Sequence, residues 1–511
     1  MAYVLTKAEA MVFCSLIRIA GNFPNVSISF KKRRNLFIMS QENSAAENKM
    51  ATKPMGKLML TMGLPIVLSM MLQAVYNIVD SAFLSNMSEA GEEALTALGL
   101  AFPIQLLMIA ISIGTGVGAN ALLSRFLGQG NKEGASKTCG NAIFMGIVIY
   151  IIFLLVGFFV VKPYVNSQNV AGNISDTVIN MAIDYLHICC CISFGQVFYA
   201  IFEKLLQATG RSVKSTIAQV TGALVNIVFD LIFIYGWFGL PAMGVKGAAI
   251  ATVFGQIVSA VLAIIFYIRN VKEVDKSPRY IRPNWKILKS LYAIGLPAII
   301  SQALLTVMTY GMNIILGRIG EVGENAVTVY GLYCKIQQLI VFAAVGMRDA
   351  ITPIVSFSYG QGNPKRLKEG IKFGMIYTVI LMILGTVIIE VLAGPLTKFF
   401  SLSEPTYSMC VDCMRIISLG FIFSGISIAF QGVFQAIGRG VESLIISLGR
   451  QVVFILPVAW LLTRTVTGAE NIANVWWTFL IGETLTLITA IIMFIRKPVQ
   501  KRVNIQSEQT A

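Results

Sequence analysis

The sequence predicts an all-α integral membrane protein of twelve transmembrane helices, arranged as two parallel-repeat bundles of six. The 511 residues are 56% hydrophobic with a mean hydropathy of +0.74, which is more apolar than a soluble domain with a polar surface allows. The apolar residues fall into about twelve stretches of membrane-spanning length. In addition, the second half of the sequence repeats the first.

Each apolar stretch approaches or exceeds the roughly 20 residues that a helix needs to cross the hydrocarbon core. The predicted spans are 58–85, 94–124, 138–161, 177–202, 213–236, 246–269, 288–317, 327–358, 370–393, 408–430, 441–464 and 472–495. The predicted domains are an N-terminal tail (1–56), a first bundle (57–269), a linker (270–287), a second bundle (288–496) and a C-terminal tail (497–511). Met39 is an alternative to Met1 as the natural start.

Lysine and arginine are concentrated in alternate connections between the spans. These connections carry Arg125, Lys132, Lys137, Lys204, Arg211, Lys214, the basic residues of 269–289, Lys365, Arg366, Lys368, Lys372 and Arg439. The positive-inside rule therefore predicts that these connections and both termini are cytoplasmic. The net charge of +15 does not indicate nucleic acid as a partner, because no soluble module concentrates the basic residues.

An internal duplication determines the predicted architecture. Residues 63–131 align without a gap with residues 295–363, with about one position in three identical. The anchors include Gly63-Leu64-Pro65 against Gly295-Leu296-Pro297, Gly128-Gln129-Gly130-Asn131 against Gly360-Gln361-Gly362-Asn363, and 207–211 against 435–439. Because each copy holds an even number of spans, both enter the membrane in the same direction, as in transporters that rock two bundles around a central cavity.

Nothing in the chain indicates a nucleotide site. The Gly-Gln-Gly-Asn segments are predicted to be tight turns, since no G-x-x-x-x-G-K-[ST] motif is present. Transport would then be driven by an ion gradient or by the substrate's own gradient. An enzyme is not predicted, because there is a single histidine, His187, and no cluster of metal ligands. The eight cysteines are interpreted as buried thiols.

Three spans of the first bundle carry polar stripes at helical spacing. The stripes are Gln73, Tyr76, Asn77 and Asp80 in the first span, Gln219, Asn226 and Asp230 in the fifth, and Thr252, Gln256 and Ser259 in the sixth. A carboxylate inside a membrane span is costly and usually functional, and such a pocket suits a proton or a sodium ion. The alternative is that these groups only form hydrogen bonds between helices. Asp184 is a third acid, nearer a helix end.

The second bundle lacks these acids. At the repeat offsets, Asp80, Asn226 and Asp230 are matched by Met312, Phe454 and Val458, so ion coupling is predicted to lie in the first bundle. The second bundle has its own charges at Lys335, Arg348, Asp349, Glu390 and Glu483. Adjacent helical residues point in different directions, so Arg348 is predicted to pair with another helix. Cavity-facing positions for Lys335 and Asp349 are the alternative.

These residues resemble the multidrug and toxic compound extrusion (MATE) transporters, in particular bacterial DinF-like and MepA-like exporters, over nearly all of 55–498. The resemblance rests on Gly63-Leu64-Pro65, Val79-Asp80, Asn226-x-x-x-Asp230, the segment 247–252 and the duplication. It implies a V-shaped, monomeric protein of the bacterial inner membrane. Such a protein exports small amphipathic, often cationic compounds by alternating access, in exchange for protons or sodium and without another cofactor.

The resemblance also implies roles for individual residues. Asp80, Asn226, Asp230 and Thr252 would form the cation-coupling site and would be the ligands if the ion is sodium, and Gln73, Tyr76, Asn77 and Gln256 would contact the substrate. Another branch of the family has functional acids in the seventh and tenth helices. Here the seventh span has none, and the tenth has only Asp412. The main alternative is a flippase for a lipid-linked or amphipathic precursor, which would require a basic cavity.

Overall fold

Apolar α-helices make up almost the whole of the structure, a computed structural model that describes residues 49–85, 91–168, 174–399, 404, 406–466 and 471–496. Helices are expected in lipid because they satisfy every backbone hydrogen bond within one segment. The first half contains α1 (Lys49–Thr52), α2 (Met55–Ser85), α3 (Gly91–Gly128), α4 (Lys132–Leu155), α5 (Val161–Gln168), α6 (Asp176–Cys191), α7 (Phe194–Ala208), α8 (Ser212–Tyr235) and α9 (Gly244–Asn270).

The second half also has six spans, but a different one is interrupted. It contains α10 (Trp285–Gly317), α11 (Gly323–Gly360), α12 (Pro364–Phe399), α13 (Thr406–Ser418), α14 (Phe421–Ala436), α15 (Gly440–Leu448), α16 (Ile455–Thr463) and α17 (Ala473–Arg496). Single π-helical turns at Val156–Val160 and Gly449–Val453 lie between α4 and α5 and between α15 and α16. Short 3-10 turns lie at Trp237–Gly239, Pro278–Ile281 and Gly320–Val322.

The twelve predicted spans are confirmed, with one difference in the fourth span of each half. In the described part of the chain, ten spans run without a sharp bend, and two more are bent helix pairs, α6 with α7 and α13 with α14. Both pairs bend by 48°. The same bend at the same place in both halves is further support for the duplication.

The Gly-Gln-Gly-Asn segments form the tight turns that the sequence predicts. Gly130 and Gly362 adopt left-handed backbone conformations, with φ of 68° and 65°, which glycine reaches without steric cost. The following asparagines cap the next helices: Asn131 Oδ1 accepts from Gly134 N at 2.8 Å, and Asn363 Oδ1 accepts from Arg366 N at 3.1 Å. Each such cap satisfies a backbone donor that the helix itself leaves unpaired.

The two halves contact each other at one end, through helices that are equivalent in the repeat: α2 packs against α11, α3 against α10, and α3 against α11. The backbones approach closely, because a Cβ on Gly346 would lie 2.7 Å from Val67 Cα, and one on its equivalent Gly114 would lie 2.9 Å from Gly295 O. Ser356 Oγ also donates to Ala121 O at 2.6 Å. We name this region, formed by residues 113–128 and 346–360 with the helices packed on them, the closed end.

Towards the other end of α3 and α11, two equivalent glycines have open space beside them. Gly99 and Gly331 are equivalent in the repeat, and a Cβ on either would have no described heavy atom within 4 Å. The closed end is the one that bears the basic loops predicted to be cytoplasmic.

The connection between the halves is anchored to the first half. Backbone amides of Asp275 and Asn284 donate to Ser136 Oγ at 2.8 Å and to Asn141 Oδ1 at 2.7 Å, both on α4.

At the start of the described chain, the Arg366 guanidinium donates to the carbonyls of Met50 and Lys53. The domain boundaries remain a prediction, since residues 49–399 and their described continuation form one compact unit. Most of the predicted N-terminal tail and all of the C-terminal tail lie outside the described residues.

Candidate functional site

Two polar side chains of α8 lie in the interior of the first half. Asn226 is 4% exposed and Asp230 is fully buried. The packing of α8 on α9 is close because both helices have glycine at the contact. A Cβ on Gly255 would come 2.6 Å from Gly222 O and 2.8 Å from Asn226 Cβ. Asn226 is therefore held directly against α9.

The register of α8 and α9 brings Thr252 to the level of Asp230. The helices are antiparallel, with Asn226 beside Gly255 and Phe233 O accepting from Met243 N at 2.9 Å just before α9 begins. Between these two contacts, Thr252 falls at the level of Asp230, and its side chain is half-buried. This register is consistent with the prediction that Thr252 of the sixth span lies near Asp230 of the fifth.

The first span runs parallel to α8 and is fixed to it at two levels. Ser69 Oγ donates to Gln219 Oε1, and Gln219 Nε2 donates to Gln73 Oε1 at 2.9 Å. Further along, Tyr235 Oη donates to Phe83 O at 2.8 Å. Position 80 of α2 lies between these contacts, and its backbone is level with Asp230. The side chains of Asn77 and Asp80 lie outside the described residues.

The residues predicted to contact substrate occupy different surroundings. Gln73 is engaged with Gln219 between α2 and α8. Tyr76, one turn further, is half-buried. Gln256 lies against the bend of the fourth span, since its Cβ is 3.1 Å from where a Cβ on Gly195 would be. Their assignment to substrate remains a prediction.

The chemistry of this group of residues fits a hard cation or a proton. The Asp230 carboxylate, the Asn226 carbonyl and the Thr252 hydroxyl all offer oxygen, the donor that sodium prefers. Neither polar atom of the Asn226 side chain has a hydrogen-bond partner among the described residues. Buried amides are normally hydrogen-bonded. The Asn226 amide is therefore available to bind an ion at the predicted coupling site.

Four charged residues at the closed end form a cluster that was not predicted: Glu203, Lys204, Arg348 and Asp349. Lys204 was assigned to a cytoplasmic connection, but it lies within α7 and is 1% exposed, with its Nζ 2.7 Å from Asp349 Oδ2. The assignment was wrong because the partner that stabilises this charge is in the other half. Arg348 was expected to pair with another helix, yet its Nε and Nη2 donate to Asp349 Oδ1 at 3.0 and 2.9 Å. Its long side chain bends back to its neighbour.

Of the other charged residues that the sequence places in the spans, some lie in the interior and some at the surface. Glu483 of α17 accepts from Arg450 Nε at 2.8 Å, and Arg450 Nη2 also donates to Ser424 Oγ. Glu390 accepts from Ser418 Oγ at 2.7 Å. Asp184, the third acid of the first half, forms a half-exposed ion pair with Lys246 at 2.9 Å. Lys335 is exposed.

Comparisons with known proteins agree with this architecture. The MatE family model matches residues 65–232 and 297–461, once in each half. The multidrug export protein MepA of Staphylococcus saprophyticus is 22% identical over 435 residues, covering 85% of this chain and 92% of that protein. MepA of Staphylococcus aureus is also 22% identical, over 440 residues, with 86% and 93% coverage.

Solved structures share the fold. A crystal structure of MATE in complex with MaL6 has a TM-score of 0.81 at 23% identity, covering 90% of this chain and 99% of that chain. Because the matched family model extends over most of both halves, the chain belongs to the MatE family, the multidrug and toxic compound extrusion family that its sequence resembles.

Proposed function

We propose that the protein is a secondary active multidrug efflux transporter that exchanges amphipathic, cationic organic compounds for protons or sodium by alternating access. Its relatives named multidrug export proteins support export as the direction of transport. The close packing of the two halves at the closed end supports alternating access between two repeated bundles. Family membership supports a multi-pass membrane protein that acts on small molecules.

We propose that coupling occurs in the first half, at Asp80, Asn226, Asp230 and Thr252. The observation that carries this proposal is the complete burial of Asp230, at the level of Thr252 and of backbone position 80. An ionised carboxylate in such a place is strongly disfavoured unless a cation or a proton neutralises it. The equivalent position in the second half is Val458, so the shared scaffold does not require an acid there.

Substrate is proposed to bind between the halves, with Gln73, Tyr76, Asn77 and Gln256 contributing from the first half. A cationic substrate in this cavity would compete with the coupling ion for the negative charge of the coupling-site aspartates. Ion entry would then displace the substrate, and the next substrate would displace the ion. This competition is what makes exchange, rather than leak, the outcome.

The alternative, a flippase for a phosphate-bearing lipid precursor, needs positive charge in the cavity. Buried Lys204 and the 12% exposed Arg348 and Arg450 each contact a carboxylate. Their charge is therefore largely neutralised, and this favours the exporter over the flippase.

The proposal is tested with purified protein in liposomes loaded with a fluorescent cationic dye. Dye efflux is measured under an imposed proton gradient and, separately, a sodium gradient, for wild type, D80N and D230N. D184N is the matched control, because Asp184 is an acid of the same half but 40% exposed and paired with Lys246.

We expect gradient-driven efflux in wild type and D184N and its loss in D80N and D230N, and the effective gradient identifies the ion. Efflux that survives in D80N and D230N would refute coupling through the first half. No dye movement with intact wild-type protein would favour the flippase.

A further inference from the structure

The closed end contains a buried ionic cluster that joins the two halves. Lys204 and Glu203 belong to α7, and Asp349 and Arg348 belong to α11. Within this cluster, the two halves are joined by the 2.7 Å bond from Lys204 Nζ to Asp349 Oδ2. The side chains of Glu203, Lys204 and Asp349 are each at most 5% exposed.

Each of the two bridging residues also has a counter-ion in its own half. Lys204 Nζ lies 3.6 Å from Glu203 Oε1 and donates to Gln207 Oε1 at 3.3 Å. Asp349 Oδ1 accepts two bonds from Arg348. The cluster as a whole is neutral, and so is the pair that each half contributes.

This arrangement bears on the cost of separating the halves. Breaking a buried ion pair is expensive mainly because it leaves an uncompensated charge behind. Here the loss of the Lys204–Asp349 bond leaves Lys204 beside Glu203 and Asp349 beside Arg348. The halves would then lose one charge-assisted hydrogen bond without either of them keeping an unpaired charge.

The repeat shows how space is made for the two cations. Gly116 of α3 lies against the Lys204 stem, and a Cβ there would be 2.8 Å from Lys204 Cγ. At the repeat offsets of 232 and 228, Gly116 corresponds to Arg348 and Lys204 to Gly432. A Cβ on Gly432 would be 2.9 Å from Arg348 Cγ. Each half thus pairs one cation with one glycine, with the positions exchanged between the halves.

We propose that Lys204 and Asp349 form a latch that holds the closed end shut, and that Glu203 and Arg348 are the counter-ions that allow it to open. The latch is stable in the closed arrangement because the 2.7 Å bond is shielded from water. It is reversible because both halves remain neutral after it breaks. This inference rests on the proposed alternating access, in which the closed end must open once in each cycle.

The test measures opening of the closed end without substrate or gradient. Ala121, 1% exposed and packed between the halves with Ile294 and Ala298, is replaced by cysteine in a background without the eight native cysteines. Labelling by a membrane-impermeant maleimide, applied to the side of the basic loops, reports opening. The double variant E203Q/K204M removes the bond but leaves Arg348 with Asp349. It also keeps a side-chain oxygen at position 203, which accepts from Gln207 Nε2 at 2.8 Å in the parent.

We expect E203Q/K204M to be labelled about tenfold faster than the parent, as for the loss of one charge-assisted hydrogen bond. R450M/E483Q is the matched control, because it removes a buried ion pair that lies wholly within the second half. Its labelling should equal that of the parent. Equal labelling of E203Q/K204M and the parent would overturn the proposal.

The exchange K204D/D349K separates a latch from an ordinary structural ion pair. It keeps opposite charges across the contact, but the first half then holds two carboxylates and the second half two cations. We expect labelling slower than in the parent and no dye transport, because opening would leave like charges together in each half. Labelling and transport at parental rates would overturn the proposal. Because labelling needs no substrate, a failure of the proposed efflux function would leave this readout intact.

Discussion

Gly346 of α11 lies against the backbone of Val67 on α2, so closely that a Cβ on Gly346 would be 2.7 Å from Val67 Cα. Backbone atoms cannot move aside as a flexible side chain can, so even one added methyl group must push the two halves apart. The closed end therefore depends on the absence of a side chain at position 346.

We predict that G346A destabilises the protein by about 1–3 kcal/mol, the usual cost of overpacking a tight contact. The midpoint of thermal unfolding in detergent, followed by tryptophan fluorescence, measures this change. G331A is the control, since it is the same substitution on the same helix with no described atom within 4 Å. Equal midpoints for the two variants would contradict the close approach of α11 and α2.

The contact of α2 with α8 gives a second prediction. Gln219 is 9% exposed and bridges Ser69 and Gln73, so Q219L leaves two polar groups without their partner at a cost of about 1–3 kcal/mol. Thermal unfolding again measures the loss. T221V on the same helix should be nearly silent, because the half-buried Thr221 makes only an exposed hydrogen bond, from its hydroxyl to Ile217 O. A silent Q219L would show that this bridge does not hold α2 against α8.

The Arg450–Glu483 ion pair lies wholly within the second half and gives a third prediction. We predict that R450M destabilises by about 3–5 kcal/mol, because it leaves Glu483 buried without its counter-ion. Adding E483Q should recover part of the loss, since the unpaired charge is removed. Unfolding midpoints of the single and double variants measure both effects, and a double variant as unstable as R450M would contradict this account.

The linker gives a prediction about local order. Ser136 and Asn141 accept from the backbone amides of Asp275 and Asn284, so S136A/N141A should release the linker from α4. Trypsin, which cleaves after residues such as Arg279, should then cut the linker faster in inside-out vesicles. S167A is the control, because Ser167 donates only to Tyr164 O at the other end of this span. Unchanged cleavage would mean that other contacts hold the linker.

Much of this fold follows from local sequence patterns. The length of the apolar stretches predicts the twelve spans, and the Gly-Gln-Gly-Asn segments predict the turns at Gly130 and Gly362. The 48° bends of the fourth and tenth spans were not predicted, because their composition stays apolar across the break. For Asp230, an acid within an otherwise apolar span indicated the interior position that the structure gives it.

The charges of the closed end illustrate what local patterns miss. Lys204 follows a span and precedes Arg211, so it was taken as part of a basic loop. Its burial depends on Asp349, which is 145 positions away in the sequence. Helical geometry argues against pairing of neighbours, yet the flexible Arg348 side chain reaches Asp349. A tertiary ion pair leaves no periodic signal in a single sequence.

The central claim is that dye and ion exchange through the carboxylates of the first half. Its most direct measurement is the reverse flux: a dye gradient is imposed on proteoliposomes without an ion gradient, and proton and sodium movements are followed. We predict an ion flux opposite to the dye in wild type and D184N, absent in D230N. Dye that crosses through wild-type protein with no opposing flux of either ion would contradict the account.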